Sequence, residues 1–142
     1  MTDLKVLLVD DETDFIDALS KRLAIRGLNV DTVSCGLEAL SKVADSDYDA
    51  IVLDLAMPDM DGLETLKRLL AEKPGLPVIL LTGHPTPKIS EEAAKRGAAD
   101  FLEKPMEIND LLEKIKAVHG RRLVVLPEKC QDVIEDLLKK QV

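Results

Sequence analysis

Several residues able to handle a phosphate or a metal ion stand directly after short apolar runs. Asp10 and Asp11 follow Lys5-Val-Leu-Leu-Val9, and Asp54 follows Ala50-Ile-Val-Leu53. Thr82 closes the run that starts at Pro77, and Lys104, followed at once by Pro105, comes after Asp100-Phe-Leu-Glu103. Singly, each has an ordinary explanation: an aspartate caps a helix, as Glu12 and Asp14 also could, a threonine caps a turn, and a lysine is solvated. Brought together they would be costly, since two like charges about 4 Å apart repel by roughly 4 kcal/mol at an effective dielectric of 20. Such a cluster must take up a proton or a cation. Hard oxygen donors with open positions suit Mg²⁺, or Mn²⁺ in its place. A carboxylate nucleophile, a hydroxyl donor and an ammonium that offsets developing charge then suit phosphoryl transfer onto an aspartate, giving an acyl phosphate.

The elements that must position these residues are legible from periodicity. Apolar, β-branched runs at 5–9, 28–33, 50–53 and 77–82, and a weaker one at 100–103, read as strands. Between them lie helical spacings: Phe15, Leu19 and Leu23; Leu37, Leu40 and Val43; Leu63, Leu66 and Leu70. A weakly apolar fourth helix spans about 87–96, and Ile108, Leu111, Leu112 and Ile115 mark a fifth. Gly27, Gly75 and Gly97 stand where a left-handed stop residue is favoured. Strand and helix alternating five times call for an α/β, doubly wound parallel sheet covered on both faces, with right-handed crossovers. In such a sheet a ligand site belongs at the carboxyl ends of the strands, where all five of these residues fall.

Composition agrees. The 142 residues suit one domain, and with 46% apolar residues, 32% charged ones and net charge -8 the chain reads as an acidic globule. Direct nucleic-acid binding is disfavoured, because it relies on neutralising phosphates and only Arg121-Arg122 is locally basic. The start, Met1-Thr2-Asp3-Leu4-Lys5, has no basic leader and too short an apolar span for export or membrane insertion, so a cytoplasmic location is expected. Cys35 and Cys130 lack the close partners of a zinc or redox motif and read as ordinary thiols. His84 and His119 lack acidic or cysteine partners at useful spacing and read as exposed loop residues.

The runs Val9-Asp10-Asp11-Glu12, Leu53-Asp54-Leu-Ala-Met57-Pro58-Asp-Met-Asp-Gly62, Leu81-Thr82-Gly83 and Lys104-Pro105, in this order and spacing, resemble the receiver domain of bacterial two-component response regulators. The resemblance covers approximately residues 4 to 119. It implies a five-stranded sheet in the flavodoxin-like order 2-1-3-4-5, with residues 1–119 as the receiver domain. It also implies that Asp54 is the phosphoacceptor, that Asp11 and Asp54 ligate Mg²⁺ directly, that Asp10 does so through water, and that the backbone carbonyl of Ala56 completes the set. Thr82 and Lys104 would contact the phosphoryl group, Phe101 would be the aromatic switch coupled to Thr82, and the Lys104–Pro105 bond would be cis. A sensor histidine kinase or phosphotransfer protein would supply the phosphoryl group, and a downstream protein partner would read the switch. The chain would catalyse its own phosphorylation and dephosphorylation without being a turnover enzyme. The prolines Pro85 and Pro87, which bracket Thr86, depart from the pattern and stiffen a region that moves on activation in the family.

Residues 120–142 form an extension in which Cys130, Val133, Ile134, Leu137 and Leu138 share one helical face after Pro127. It is expected to be helical, and it either folds back on the domain or begins a linker, or else serves a homodimer or another partner. Other classes fit less well. A phosphohydrolase of the aspartyl-phosphate class would need an acid where Ala56 stands. A flavodoxin would not place Asp10-Asp11-Glu12 against a flavin phosphate, and no P-loop is present. The alternative of another class is a scaffold or dimerisation module that keeps the fold without being phosphorylated.

Overall fold

The computed structural model describes residues 4–55, 62–83 and 86–124. Strands β1 (Lys5–Val9), β2 (Asn29–Val33), β3 (Ala50–Asp54), β4 (Val78–Thr82) and β5 (Asp100–Glu103) alternate with helices α1 (Thr13–Ile25), α2 (Gly36–Asp45), α3 (Gly62–Glu72), α4 (Pro87–Lys95) and α5 (Ile108–Val124). All strand pairs are parallel, in the order β2-β1-β3-β4-β5.

Two cores flank the sheet, and the period of two along each strand decides which side chain joins which. Leu7, Val9, Ile51, Leu53, Val78 and Leu80 face α2, α3 and α4, meeting Val43, Leu66, Leu69 and Ala93. Val6, Leu8, Ala50, Val52, Ile79 and Leu81 face α1 and α5, meeting Ile16, Leu23, Leu111 and Ile115. Because both faces are covered, every residue of β3 and β4 is buried, which accounts for their unbroken apolar sequence. The edge strands β2 and β5 retain polar, partly exposed residues.

Gly27 at φ 91°, Gly75 at φ 87° and Gly97 at φ 99° turn the chain out of α1, α3 and α4 in the left-handed region. Thr86 caps α4 by accepting a hydrogen bond from Ile89 N at 3.1 Å, and Pro87 takes the first helical position.

Two details differ from the sequence expectation. Helix α5 does not stop before Gly120 but runs on to Val124. A single glycine costs a helix only about 1 kcal/mol, and the buried face of Leu111, Ile115 and Val118 outweighs it. His119 is also not an exposed loop residue: it lies in α5, half-buried, with Nδ1 3.6 Å from Asp49 Oδ1. That contact sits at the amino end of β3, opposite Asp54. Helix periodicity around His119 was masked by the glycine that follows it. The expected C-terminal helix, Cys130, His84 and Pro85 lie outside the described residues.

Candidate functional site

Register brings the chemistry-bearing residues to one edge. Val9 pairs with Leu53, Asp54 with Leu81 and Thr82 with Glu103, so the ends of β1, β3, β4 and β5 are level. Two backbone hydrogen bonds extend the ladder past the strands: Leu55 N donates to Leu81 O at 3.0 Å, and Lys104 N donates to Thr82 O at 2.7 Å. Lys104 is thereby fixed to the strand that carries Thr82, and the Lys104–Pro105 peptide bond is cis. Asp10, Asp54 and Thr82 are buried although polar, at 2%, 4% and 7% exposure. Buried charge of this kind needs countercharge and hydrogen bonds.

Lys104 supplies much of it. Its Nζ donates to Asp10 Oδ2 at 2.8 Å and to Glu12 Oε1 at 3.2 Å, and lies 3.6 Å from Asp54 Oδ1. The same ammonium stands over the Phe15 ring, 4.7 Å from its centre. The second oxygen of Asp10 accepts a hydrogen bond from Glu12 N at 2.9 Å. Burial by itself would lower the Lys104 pKa. The Asp10 hydrogen bond, the charges of Asp10 and Asp54 and the Glu12 hydrogen bond outweigh it, and the net shift is upward from 10.5.

One carboxylate oxygen from each of Asp10, Glu12 and Asp54 lies within 4.8 Å of the others. This grouping brings together two of the residues given a site role in the sequence and adds Glu12, which the sequence offered as part of the Val9–Glu12 motif and as a capping candidate but not as a ligand. Glu12 does occupy the cap position of α1, but its side chain makes no capping hydrogen bond. Asp11 is exposed beside the cluster. Ala56, expected to offer a backbone carbonyl, lies outside the described residues. Three carboxylates against one ammonium leave an excess of two negative charges among hard oxygen donors, a set that fits a divalent cation such as Mg²⁺. Phe101, half-buried, packs against the core that holds Leu80 and Ala93.

The family model described as the response regulator receiver domain matches residues 6–116. The chain belongs to this family. Among curated relatives, the response regulator MprA of Mycobacterium leprae is 37% identical over 120 residues, covering 83% of this chain and 52% of that protein. The chain spans about half or less of the length of the curated relatives it matches. Among solved structures, a CheY-like receiver domain protein from Methanospirillum hungatei superposes with TM-score 0.81 at 30% identity, covering 85% of this chain and 97% of that one. The response regulator TrrA of Thermotoga maritima, solved in complex with Mg²⁺-BeF, gives TM-score 0.74 at 30% identity, covering 81% and 98%. Receiver domains are the phosphorylated modules of two-component response regulators, modified on an aspartate. They bind Mg²⁺ at an acidic pocket, interact with histidine kinases and downstream effectors, and are not turnover enzymes. The acidic cluster of this receiver domain stands at the carboxyl edge of the sheet. Among the described residues, no helix is long and apolar enough to cross a membrane.

Proposed function

We propose that Asp54 is the phosphoryl acceptor of this receiver domain. The supporting observation is a buried Asp54 carboxylate that shares one lysine with Asp10 at the carboxyl edge of the sheet. An Asp54 oxygen attacks the phosphorus of a phosphohistidine on a sensor kinase or phosphotransfer protein. The P–N bond breaks, its electron pair remains on the imidazole nitrogen, and Asp54 becomes an acyl phosphate. With a small acyl phosphate as donor, a P–O bond breaks instead and a carboxylate leaves. Lys104 offsets the charge gathering on the phosphoryl oxygens, and the Thr82 hydroxyl donates to one of them. A Mg²⁺ or Mn²⁺ ion held by Asp11, Asp54 and the carbonyl of Ala56, with Asp10 through water, would neutralise the phosphoryl oxygens of donor and product. Hydrolysis of the acyl phosphate resets the domain, and no external substrate is turned over.

The modification turns the singly charged Asp54 carboxylate into an acyl phosphate with a charge near −2, a net gain of about one negative charge. Drawing Thr82 toward it frees space beside β4, and Phe101 turns inward. The surface of α4, β5 and α5 then changes shape for a downstream protein partner. Incubation with acetyl phosphate, with and without Mg²⁺, followed by intact mass, tests the reading. Mg²⁺-dependent gain of one phosphoryl group in the wild type, lost in Asp54→Asn, is expected. Uptake that persists in Asp54→Asn would exclude Asp54 as the acceptor.

A further inference from the structure

We infer that Glu12 and Phe15, at the start of α1, form a latch that parks the Lys104 ammonium on the α1 side of the cluster and so slows phosphorylation of Asp54. The inference rests on the reading of Asp54 as acceptor and adds two residues to which that reading assigns no contact with metal or phosphoryl group. They are positioning residues, acting through Lys104.

The ammonium is closer to Asp10, at 2.8 Å, and to Glu12, at 3.2 Å, than to Asp54, at 3.6 Å. An ammonium has three N–H donors. Asp10 and Glu12 take two of them, and the Phe15 ring lies beneath the charge at 4.7 Å. One donor is left over, so what Glu12 and Phe15 fix is where the ammonium sits, and it must move off them to centre on a phosphoryl oxygen carried by Asp54.

Asp10 is the partner least able to yield. It is 2% exposed, and its other oxygen is pinned by Glu12 N. Glu12 has a side chain 65% exposed, so water can replace Lys104 at its carboxylate. Phe15 packs against the core formed with α5, which keeps its ring under the lysine. Glu12 thus holds the arrangement twice, by its backbone on Asp10 and by its side chain on Lys104.

Two readouts on the full chain test the latch. The first is NMR of the metal-free protein, with Lys104→Arg used to assign the Lys104 signal. The Phe15 ring should shift the Lys104 ε-methylene protons upfield, and the shift should vanish in Phe15→Leu and shrink in Glu12→Gln. The second is the rate of mass gain from acetyl phosphate in excess Mg²⁺. Both variants should be phosphorylated about fivefold faster, the change set by losing one exposed ion pair or one cation–π contact. Phe15→Leu alters no charge, which makes it the deciding arm. Acceleration in Glu12→Gln alone would indicate plain repulsion between Glu12 and an anionic donor and would overturn the latch. A Lys104 signal at its ordinary position in the wild type would overturn it as well. If the wild type gains no phosphoryl group, the Asp54 reading fails and the kinetic part of the latch falls with it, while the lysine signal still decides the parked geometry.

Discussion

At the scale of single residues, Lys104 neutralises a buried pair of carboxylates, so its removal should be felt even without phosphorylation. Lys104→Met leaves Asp10 and Asp54 without their common countercharge and should cost roughly 2–4 kcal/mol of metal-free stability near neutral pH, read from urea unfolding. The pH dependence has a definite sign. Because the folded-state pKa of Lys104 is raised, the folded chain holds that proton more tightly than the unfolded chain does. The lysine's contribution is complete below its ordinary value of 10.5 and is lost as pH rises through the folded value. The stability gap between wild type and Lys104→Met should therefore stay level from neutral pH to about 10.5 and narrow above it. Tyr48 also has a raised pKa, through burial first and then its hydrogen bond to Asp31 at 2.7 Å, but it is common to both proteins and cancels in the difference. A gap that widens in strong base would contradict this account of Lys104. What the sequence concealed at this scale was the reach of Lys104. Its motif marked the lysine, but a contact to Glu12 across 92 positions and to the Phe15 ring depends on where β5 ends relative to α1. Phe15 reads simply as one of the apolar residues on the buried stripe of α1.

At the scale of elements, α3 begins closer to the site than its sequence suggests. A Cβ on Gly62 would stand 2.5 Å from Leu55 Cα and 3.0 Å from Asp54 O, and backbone atoms at that distance cannot give way cheaply. Gly62→Ala should destabilise by about 1–3 kcal/mol and also slow acetyl phosphate uptake, since the strain falls on the peptide that carries Asp54. Chemical denaturation and intact mass measure the two effects, and an unchanged midpoint would show that α3 can shift freely. Thr86 offers a contrasting case. Thr86→Ala removes one cap hydrogen bond from α4 and should cost about 1 kcal/mol, with the phosphorylation rate nearly unaltered. Helix and strand identities were open to sequence reading because the signals agree at each level: apolar, β-branched strand runs, helical stripes and glycine stops. The far end of α5 was not, because Gly120 is a stop signal that packing of the preceding turns overrides. The positive-φ glycines Gly27, Gly75 and Gly97, by contrast, have no helix continuing beyond them to compete with their stop.

At the scale of the whole molecule, a sheet with two cores carries an acidic cluster on its carboxyl rim, and Lys104 holds that rim together by electrostatics. Divalent cation should therefore stabilise the folded chain by mass action, by about 2.7 kcal/mol at one hundred times the dissociation constant. Thermal unfolding across a Mg²⁺ series should show this rise, and Asp54→Asn should flatten it. The parallel sheet was legible from the alternation of strand and helix, while its order came from the family resemblance, since other parallel orders also satisfy right-handed crossovers and a shared carboxyl edge for Asp10, Asp54, Thr82 and Lys104. Which carboxylates crowd most closely was not legible, since Asp11 and Glu12 are neighbours in sequence and only the path into α1 directs Glu12 inward to Lys104. The central claim is that the acyl phosphate forms on Asp54, and borohydride tests it most directly by reducing an aspartyl phosphate to homoserine. After treatment with acetyl phosphate and Mg²⁺, peptide mapping should find homoserine at position 54 and at no other aspartate; homoserine at Asp10 or Asp11 with Asp54 intact would contradict the account.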